Sequence, residues 1–256
     1  MGLAYLFEFE DQSWCPAVLR NAVTGYLRLV VQVTRQAGPV APALADLLKR
    51  SGETRILDLC SGSGGIALQL TRRMAASGPP PRFLLTDLYP DTVALDAVAA
   101  QSGGTIEVLP SPLDATRVPA EMPGLRTVFN AFHHFHPAEA RAILQAAAAA
   151  GRPIAVVEFI ERAPFTLLGV FFSPLMMLMV APFLRPLRWT TLVFTYLLPV
   201  IPLMVWWDAL VSWLRVYSVR ELEELAASVD APGYQWEAGR WRVGPVRVTY
   251  LMGHRP

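Results

Sequence analysis

The chain has 256 residues, with 22 basic and 21 acidic side chains and a formal charge of +1. A near-neutral balance without a basic tract excludes a general nucleic-acid binder, and two cysteines exclude a disulfide scaffold or a cysteine-rich zinc site. Hydrophobic residues make up 53% and charged ones 17%, which excludes a disordered chain and requires one unusually apolar segment.

In chain order, Met1 to Phe9 has no basic start, and Glu8, Glu10 and Asp11 follow at once, so no signal peptide is expected. Residues 1–50 read as a helical segment, Pro16–Arg35 above all. Arg55–Leu59 is a short apolar strand followed by glycines, and a helix is expected from Gly64 to Ala76, ended by Gly78 and three prolines. Arg82–Thr86 is a second strand with Asp87 at its end. Asp91 caps a helix to Gln101, Thr105–Leu109 is a third strand and Leu125–Asn130 a fourth. Pro137 opens an alanine-rich helix that stops at Gly151, and Pro153–Phe159 is a fifth strand. Near-continuous apolar strands alternating with helices predict an α/β fold, a mostly parallel buried sheet covered on both faces.

The apolar excess lies between Ala163 and Trp207, where Arg185 and Arg188 are the sole charges. They separate two uncharged runs, Phe165–Leu184 and Trp189–Trp207, each about the length that crosses a bilayer. Pro174, Pro182, Pro199 and Pro202 interrupt them, and interior proline kinks a helix. A spanning hairpin, a kinked cap that touches a membrane surface, and a homo-oligomer contact all stay open. The preferred expectation is two kinked helices walling the acceptor site. After this insert, Ser218 and Glu221 form a capping box for a helix to about Val229. Tyr234–Val243 and Val246–Met252 alternate around Gly244-Pro245 as a terminal hairpin. The whole reads as one domain: a helical segment 1–50, a core 51–160, the insert 161–217 and a closing helix and hairpin 218–256.

In an open α/β sheet, ligands bind beyond the carboxyl ends of the strands. The first such end is Asp58-Leu59-Cys60-Ser61-Gly62-Ser63-Gly64-Gly65. Its glycines let a ligand approach backbone, and the following helix N-terminus accepts negative charge. Gly62 to Ala67 also satisfies the dinucleotide pattern G-x-G-x-x-A. Asp87 can accept from two ribose hydroxyls, and Asp114-Ala115 follows the third strand, where an acid can take the adenine amino proton. Asp58 suits a cationic ammonium, which a pyrophosphate cofactor lacks. Together these favour S-adenosylmethionine over NAD.

The segments ILDLCSGSGG (56–65), LLTDLYPD (84–91), LDAT (113–116), FNAFHHF (129–135) and IAVVEF (154–159) resemble the class I S-adenosylmethionine-dependent methyltransferases. The resemblance covers roughly residues 50–160 and the final hairpin. It implies a Rossmann-like sheet of seven strands in the order 3-2-1-4-5-7-6, with strand 7 antiparallel. It also implies S-adenosylmethionine as cofactor and S-adenosylhomocysteine as product. By that resemblance Asp58, Gly62, Ser63 and Gly64 would line the amino-acid end of the cofactor, Asp87 would bind the ribose and Asp114 and Ala115 would flank the adenine; Cys60, Leu88 and Asn130 are further cofactor-binding candidates. Cys60 stands where the family usually has glycine.

The fourth strand delivers His133 and His134 to the ligand edge, where a group titrating near neutrality can act as base. Capping or a backbone bond is the alternative for each. No metal is expected, because no acidic or cysteine partner sits at ligand spacing. Glu158 and Glu161 follow the fifth strand, and Asp208, Arg215 and Tyr217 follow the insert; these are the candidate substrate residues. No Pro-Pro-aromatic motif follows the fourth strand, which disfavours DNA-base methylation. The leading expectation is methyl transfer to a small lipophilic acceptor in the cytoplasm, with membrane association open. The alternatives are a non-catalytic cofactor-binding or membrane-docking module, and an NAD-dependent oxidoreductase, which lacks a Tyr-x-x-x-Lys motif.

Overall fold

A computed structural model describes residues 6–34, 37–243 and 246–256. The expectations for Met1–Tyr5, for Arg35 and for the Gly244-Pro245 turn lie outside the described residues.

Five apolar runs form the parallel strands β1 (Arg55–Leu59), β2 (Arg82–Leu85), β3 (Ile106–Val108), β4 (Leu125–Phe129) and β5 (Ile154–Glu158). All five side chains of β4 and of β5 are buried, as sheet interiors covered on both faces require. Two C-terminal strands, β6 (Gln235–Val243) and β7 (Val246–His254), complete a seven-stranded sheet in the order β3-β2-β1-β4-β5-β7-β6. β7 runs antiparallel to both β5 and β6. This is the strand order that the resemblance implied.

Helices α1 (Ala17–Thr34), α2 (Ala37–Ser51), α3 (Gly65–Met74), α4 (Thr92–Ala100) and α5 (Pro137–Ala149) follow in the chain. One apolar layer joins α2 and α3 to the sheet through Leu44, Leu70 and Phe83. The other face packs Ile143 and Leu144 of α5 against Val128 and Val156, together with α9 (Val219–Ala227). The end signals hold: Asp91 accepts from the Ala94 N–H at 3.3 Å, Pro137 opens α5, and Ser218 with Glu221 closes its capping box at 3.3 and 2.8 Å.

The insert folds as α6 (Pro164–Val180), a 3₁₀ turn, short α7 (Trp189–Leu192) running into a π-turn (Val193–Leu197), and α8 (Val200–Arg215). Pro174 lies inside α6, and the second run bends by 83° at the break before Val200. By length and composition, the segment Pro164–Phe183 could cross a membrane, with mean hydropathy 1.9. Its inner face does not leave the domain. Met177 and Ala181 join Ile201, Met204 and Val205 of α8 and Ala22, Val23 and Tyr26 of α1 in a third apolar cluster.

Candidate active site

The turn after β1 sits at the carboxyl edge of the sheet. Its backbone is left-handed at Cys60 (φ +56°), Gly62 (φ +53°) and Gly64 (φ +70°), and Asn130 after β4 matches it at φ +51°. Asparagine tolerates that region, whereas a cysteine Cβ there costs roughly 1–2 kcal/mol. The departure from glycine at Cys60 is therefore a strained residue. Cys60→Gly is expected to stabilise the fold by up to about 1 kcal/mol after glycine's greater unfolded freedom is counted. Cys60→Val should destabilise it, since a branched Cβ fits this region worst. Thermal melts decide; equal midpoints for all three proteins would remove the backbone argument.

Asp58 is fully buried, and its carboxylate accepts from Thr127 Oγ1 and Ser61 Oγ, each at 2.7 Å. Burial pushes its pKa up to about 7, against the pull of those two hydroxyls. It braces β1 against β4 and does not line the cleft. Asp87 does line it. One Asp87 oxygen accepts from the Gly62 N–H and the other from the Tyr89 N–H, both at 2.8 Å. Each oxygen keeps a lone pair for a further donor. Asp114 accepts from the Thr116 N–H and hydroxyl at 2.8 and 2.7 Å.

These residues edge a cleft of about 520 Å³, a size suited to a cofactor with a small partner. Cys60, Gly62, Ser63, Leu88, Ala115 and Asn130 share its lining with Asp87 and Asp114. The roof is α1, with Asn21, Thr24 and Arg28, and the N-terminal strap from Leu6 to Gln12. No residue of 163–207 lines this cleft, so the expected apolar wall is corrected: α1 stands between the insert and the site. Arg28 Nη1 is buried without a hydrogen-bond partner among the described residues. Its side chain lies so close over the turn that a Cβ on Gly65 would come within 2.6 Å of it.

The two adjacent histidines part company. His133 is buried, its side chain 1% exposed and outside the cleft lining, and Glu158 holds both its ring Nδ1 and its backbone N–H. Nδ1 lies 2.8 Å from Oε2, and the backbone N–H donates to Oε1 at 3.1 Å. His134 faces the cleft. Its Nδ1 lies 2.8 Å from Asp11 and 3.5 Å from Glu8, and its ring stands 4.4 Å from that of His133. Burial acts to lower the His134 pKa, but Asp11, Glu8 and Glu10 outweigh it and hold the ring charged well above the ordinary histidine range.

Arg215 reaches Glu8 at 3.2 Å and Asp11 at 3.6 Å, donates to the His134 carbonyl, and lines the cleft. Asp208 accepts from the Phe9 and Glu10 N–H groups at 2.7 and 3.4 Å, which fastens the strap to α8. Tyr217 donates to the Phe135 carbonyl at 2.8 Å and packs on Phe132, away from the lining. Glu161 pairs with Arg240 and Arg247 at 3.2 and 3.7 Å and ties β5 to the terminal hairpin. Of the substrate candidates, Arg215 alone lines the cleft. Glu8, His133 and His134 bring ligand atoms within 4.8 Å of one another, an acidic partner that local spacing could not reveal. Arg215 on Glu8 and Asp11 on His134 already satisfy those groups.

Burial pushes Asp208 up to about 7 and Glu10 up to about 8. The folded chain thus holds protons that the unfolded chain releases near its ordinary carboxylate pKa. Stability should fall as pH rises from about 4 through 7 to 8. Asp208→Asn keeps an oxygen for the Phe9 N–H and removes one titration, so its melting midpoint should fall less steeply over this window. A slope equal to that of the wild type would show that Asp208 does not carry the effect.

No protein-family model matches the chain, and no curated protein matches it in sequence. Solved structures match it in fold. A protein of Nostoc punctiforme assigned as an O-methyltransferase aligns with TM-score 0.55 at 14% identity, over 99% of this chain and 64% of its own. Human N-acetylserotonin methyltransferase, solved with S-adenosylmethionine, aligns with TM-score 0.51 at 14% identity, over 90% of this chain and 53% of its own. The fold is that of class I S-adenosylmethionine-dependent methyltransferases. The chain spans only about half to two thirds of the length of these two structures. On this methyltransferase fold, every expected cofactor residue except Asp58 and Gly64 lines the cleft. Sequence reading missed the strap acids Glu8, Glu10 and Asp11 and the α1 arginines Arg20 and Arg28, all but Glu8 of which line the cleft. The acids were visible as a charged run before an apolar helix, but nothing local paired them with His134.

Proposed function

We propose that the protein transfers a methyl group from S-adenosylmethionine to an oxygen of a small lipophilic acceptor. The observation that carries this is the cleft edge, where a glycine turn, Asp87 and Asp114 stand at successive strand ends beside a histidine–carboxylate pair. Asp87 offers one free lone pair per oxygen to the ribose hydroxyls, and Asp114 stands at the adenine end. Arg28 Nη1, over the glycine turn and unpartnered among the described residues, suits the cofactor carboxylate. The bound cofactor supplies an activated methyl on a sulfonium. What the chain must add is alignment of the acceptor, worth roughly 7–11 kcal/mol, and a place for its proton. In this reading the Glu158 carboxylate keeps a proton on His133 Nδ1, Nε2 carries the lone pair of a base, and the ring, which does not line the cleft, comes within reach of the acceptor as it binds. His134, held charged by Asp11, faces the developing oxyanion and steadies it. The Nostoc neighbour is assigned as an O-methyltransferase, in keeping with an oxygen acceptor. A membrane surface is the natural source of a lipophilic one, and the cytoplasm the natural compartment.

A second reading rests on one observation. His133 is 1% exposed, as in a cofactor-binding module without turnover. Mass spectrometry of a lipid extract incubated with methyl-labelled S-adenosylmethionine separates the two. The proposal expects a labelled methyl on an acceptor oxygen; cofactor bound with no labelled product across hydroxylated lipids would favour the silent module.

A further inference from the structure

The insert leaves an apolar surface that the catalytic reading does not use. Along α6, Phe165, Leu168, Phe171, Phe172, Leu175, Met176 and Met179 are all exposed. At helical spacing they form a face roughly 140° wide. The surface continues past the 3₁₀ turn, where Trp189 is 74% and Leu197 75% exposed. Isolated exposed apolar residues are ordinary, but a contiguous patch of this extent marks an interaction site.

We propose that this face docks the protein on a lipid bilayer, with α6 lying in the plane of the interface. Three observations favour lipid over a second copy of the chain. The first is charge. Between Ala163 and Trp207 there is no acidic residue, and the two charges are Arg185 and Arg188. Arg188 is held by Asp91 at 2.9 Å, while Arg185 is exposed and donates to carbonyls of its own loop. An exposed cation at the rim complements lipid phosphates, whereas a two-fold contact would set it against a face with no acid.

The second is the aromatic rim. Phe183, Trp189 and Tyr196 are exposed around the same loop, the depth at which amphipathic rings sit beside headgroups. The third is how the helices are tied. The α6 N-terminus is held where Trp213 Nε1 donates to the Ala163 carbonyl at 3.3 Å. Its far end is held through Arg188 on Asp91. With both ends fastened to the same domain and Met177 in its core, α6 lies on a bilayer rather than through it.

Val200, Leu203 and Trp207 recur at helical spacing along α8. The Trp207 ring meets Phe7 at 5.9 Å, and its Nε1 donates to the Phe7 carbonyl at 2.9 Å. Phe7 and Leu6 line the cleft, so apolar surface leads from the docking face to the site. Docking stands apart from the methyl-transfer reading; delivery of the acceptor along this surface rests on it.

Sedimentation of the full chain with phosphatidylcholine vesicles, with and without phosphatidylglycerol, tests the proposal. The wild type should pellet with vesicles, several-fold more with the anionic lipid. The double variant Phe172→Glu with Met176→Glu should lose at least tenfold in partitioning, and Arg185→Glu should lose the gain from phosphatidylglycerol alone. S-adenosylhomocysteine calorimetry checks the fold of each variant independently of docking. A wild type that never pellets overturns the proposal, as does pelleting that survives the double substitution. A dimer that the double variant dissociates, without vesicle binding, assigns the face to a second copy instead.

Discussion

Replacing His133 with asparagine should lower kcat by about 10²- to 10⁴-fold, the contribution of a positioned base, and leave the affinity for S-adenosylhomocysteine unchanged. The reason is geometric. Glu158 Oε2 lies 2.8 Å from Nδ1, and in the proposed mechanism it accepts the Nδ1 proton and leaves Nε2 as the basic atom. Glu158→Gln should act through the same ring, because an amide can turn its NH₂ group toward Nδ1 and select the other tautomer. The double variant should then be little worse than either single one, as expected for residues acting as a unit. Both groups are buried, so each change also leaves a polar atom unpaired, at about 1–3 kcal/mol of stability. Steady-state kinetics beside thermal melts separate the effects. Lowered midpoints with wild-type rates would make the pair structural.

Asp87→Ala should weaken S-adenosylhomocysteine binding by about 10²-fold or more. Charge-assisted hydrogen bonds are worth about 1.5–3 kcal/mol each, and the ribose would lose two. The same carboxylate accepts from the Gly62 and Tyr89 N–H groups, so the glycine turn loses its brace as well. Asp87→Asn, which keeps one acceptor oxygen, should fall between. Calorimetry reads the loss directly, and an unchanged affinity would place the ribose elsewhere.

The strands and caps were legible because they depend on neighbours in sequence. Burial on both faces makes β4 and β5 continuous apolar runs, and Asp91, Pro137 and Ser218 act within one helical turn. The order of strands was not in the residues; it came with the resemblance. Within the site, the turn and the strand-end aspartates were legible for the same local reason. Asp58 was read as facing the cofactor, but the hydroxyls of Ser61 and Thr127 turn it inward. The strap was illegible because Glu8 meets Arg215, and Asp11 meets His134, only after the chain has closed around the sheet. The insert misled for a different reason. Apolar length shows that a segment avoids water, not whether its partner is a cleft, α1 or lipid.

Asp87, Arg28 and the histidine pair all take their proposed roles from the identity of the cofactor. Isothermal titration of the purified chain with S-adenosylhomocysteine and, separately, with NAD tests it most directly. Saturable heat is expected with S-adenosylhomocysteine at one molecule per chain, and none with NAD. Saturable NAD binding with no heat from S-adenosylhomocysteine would contradict it.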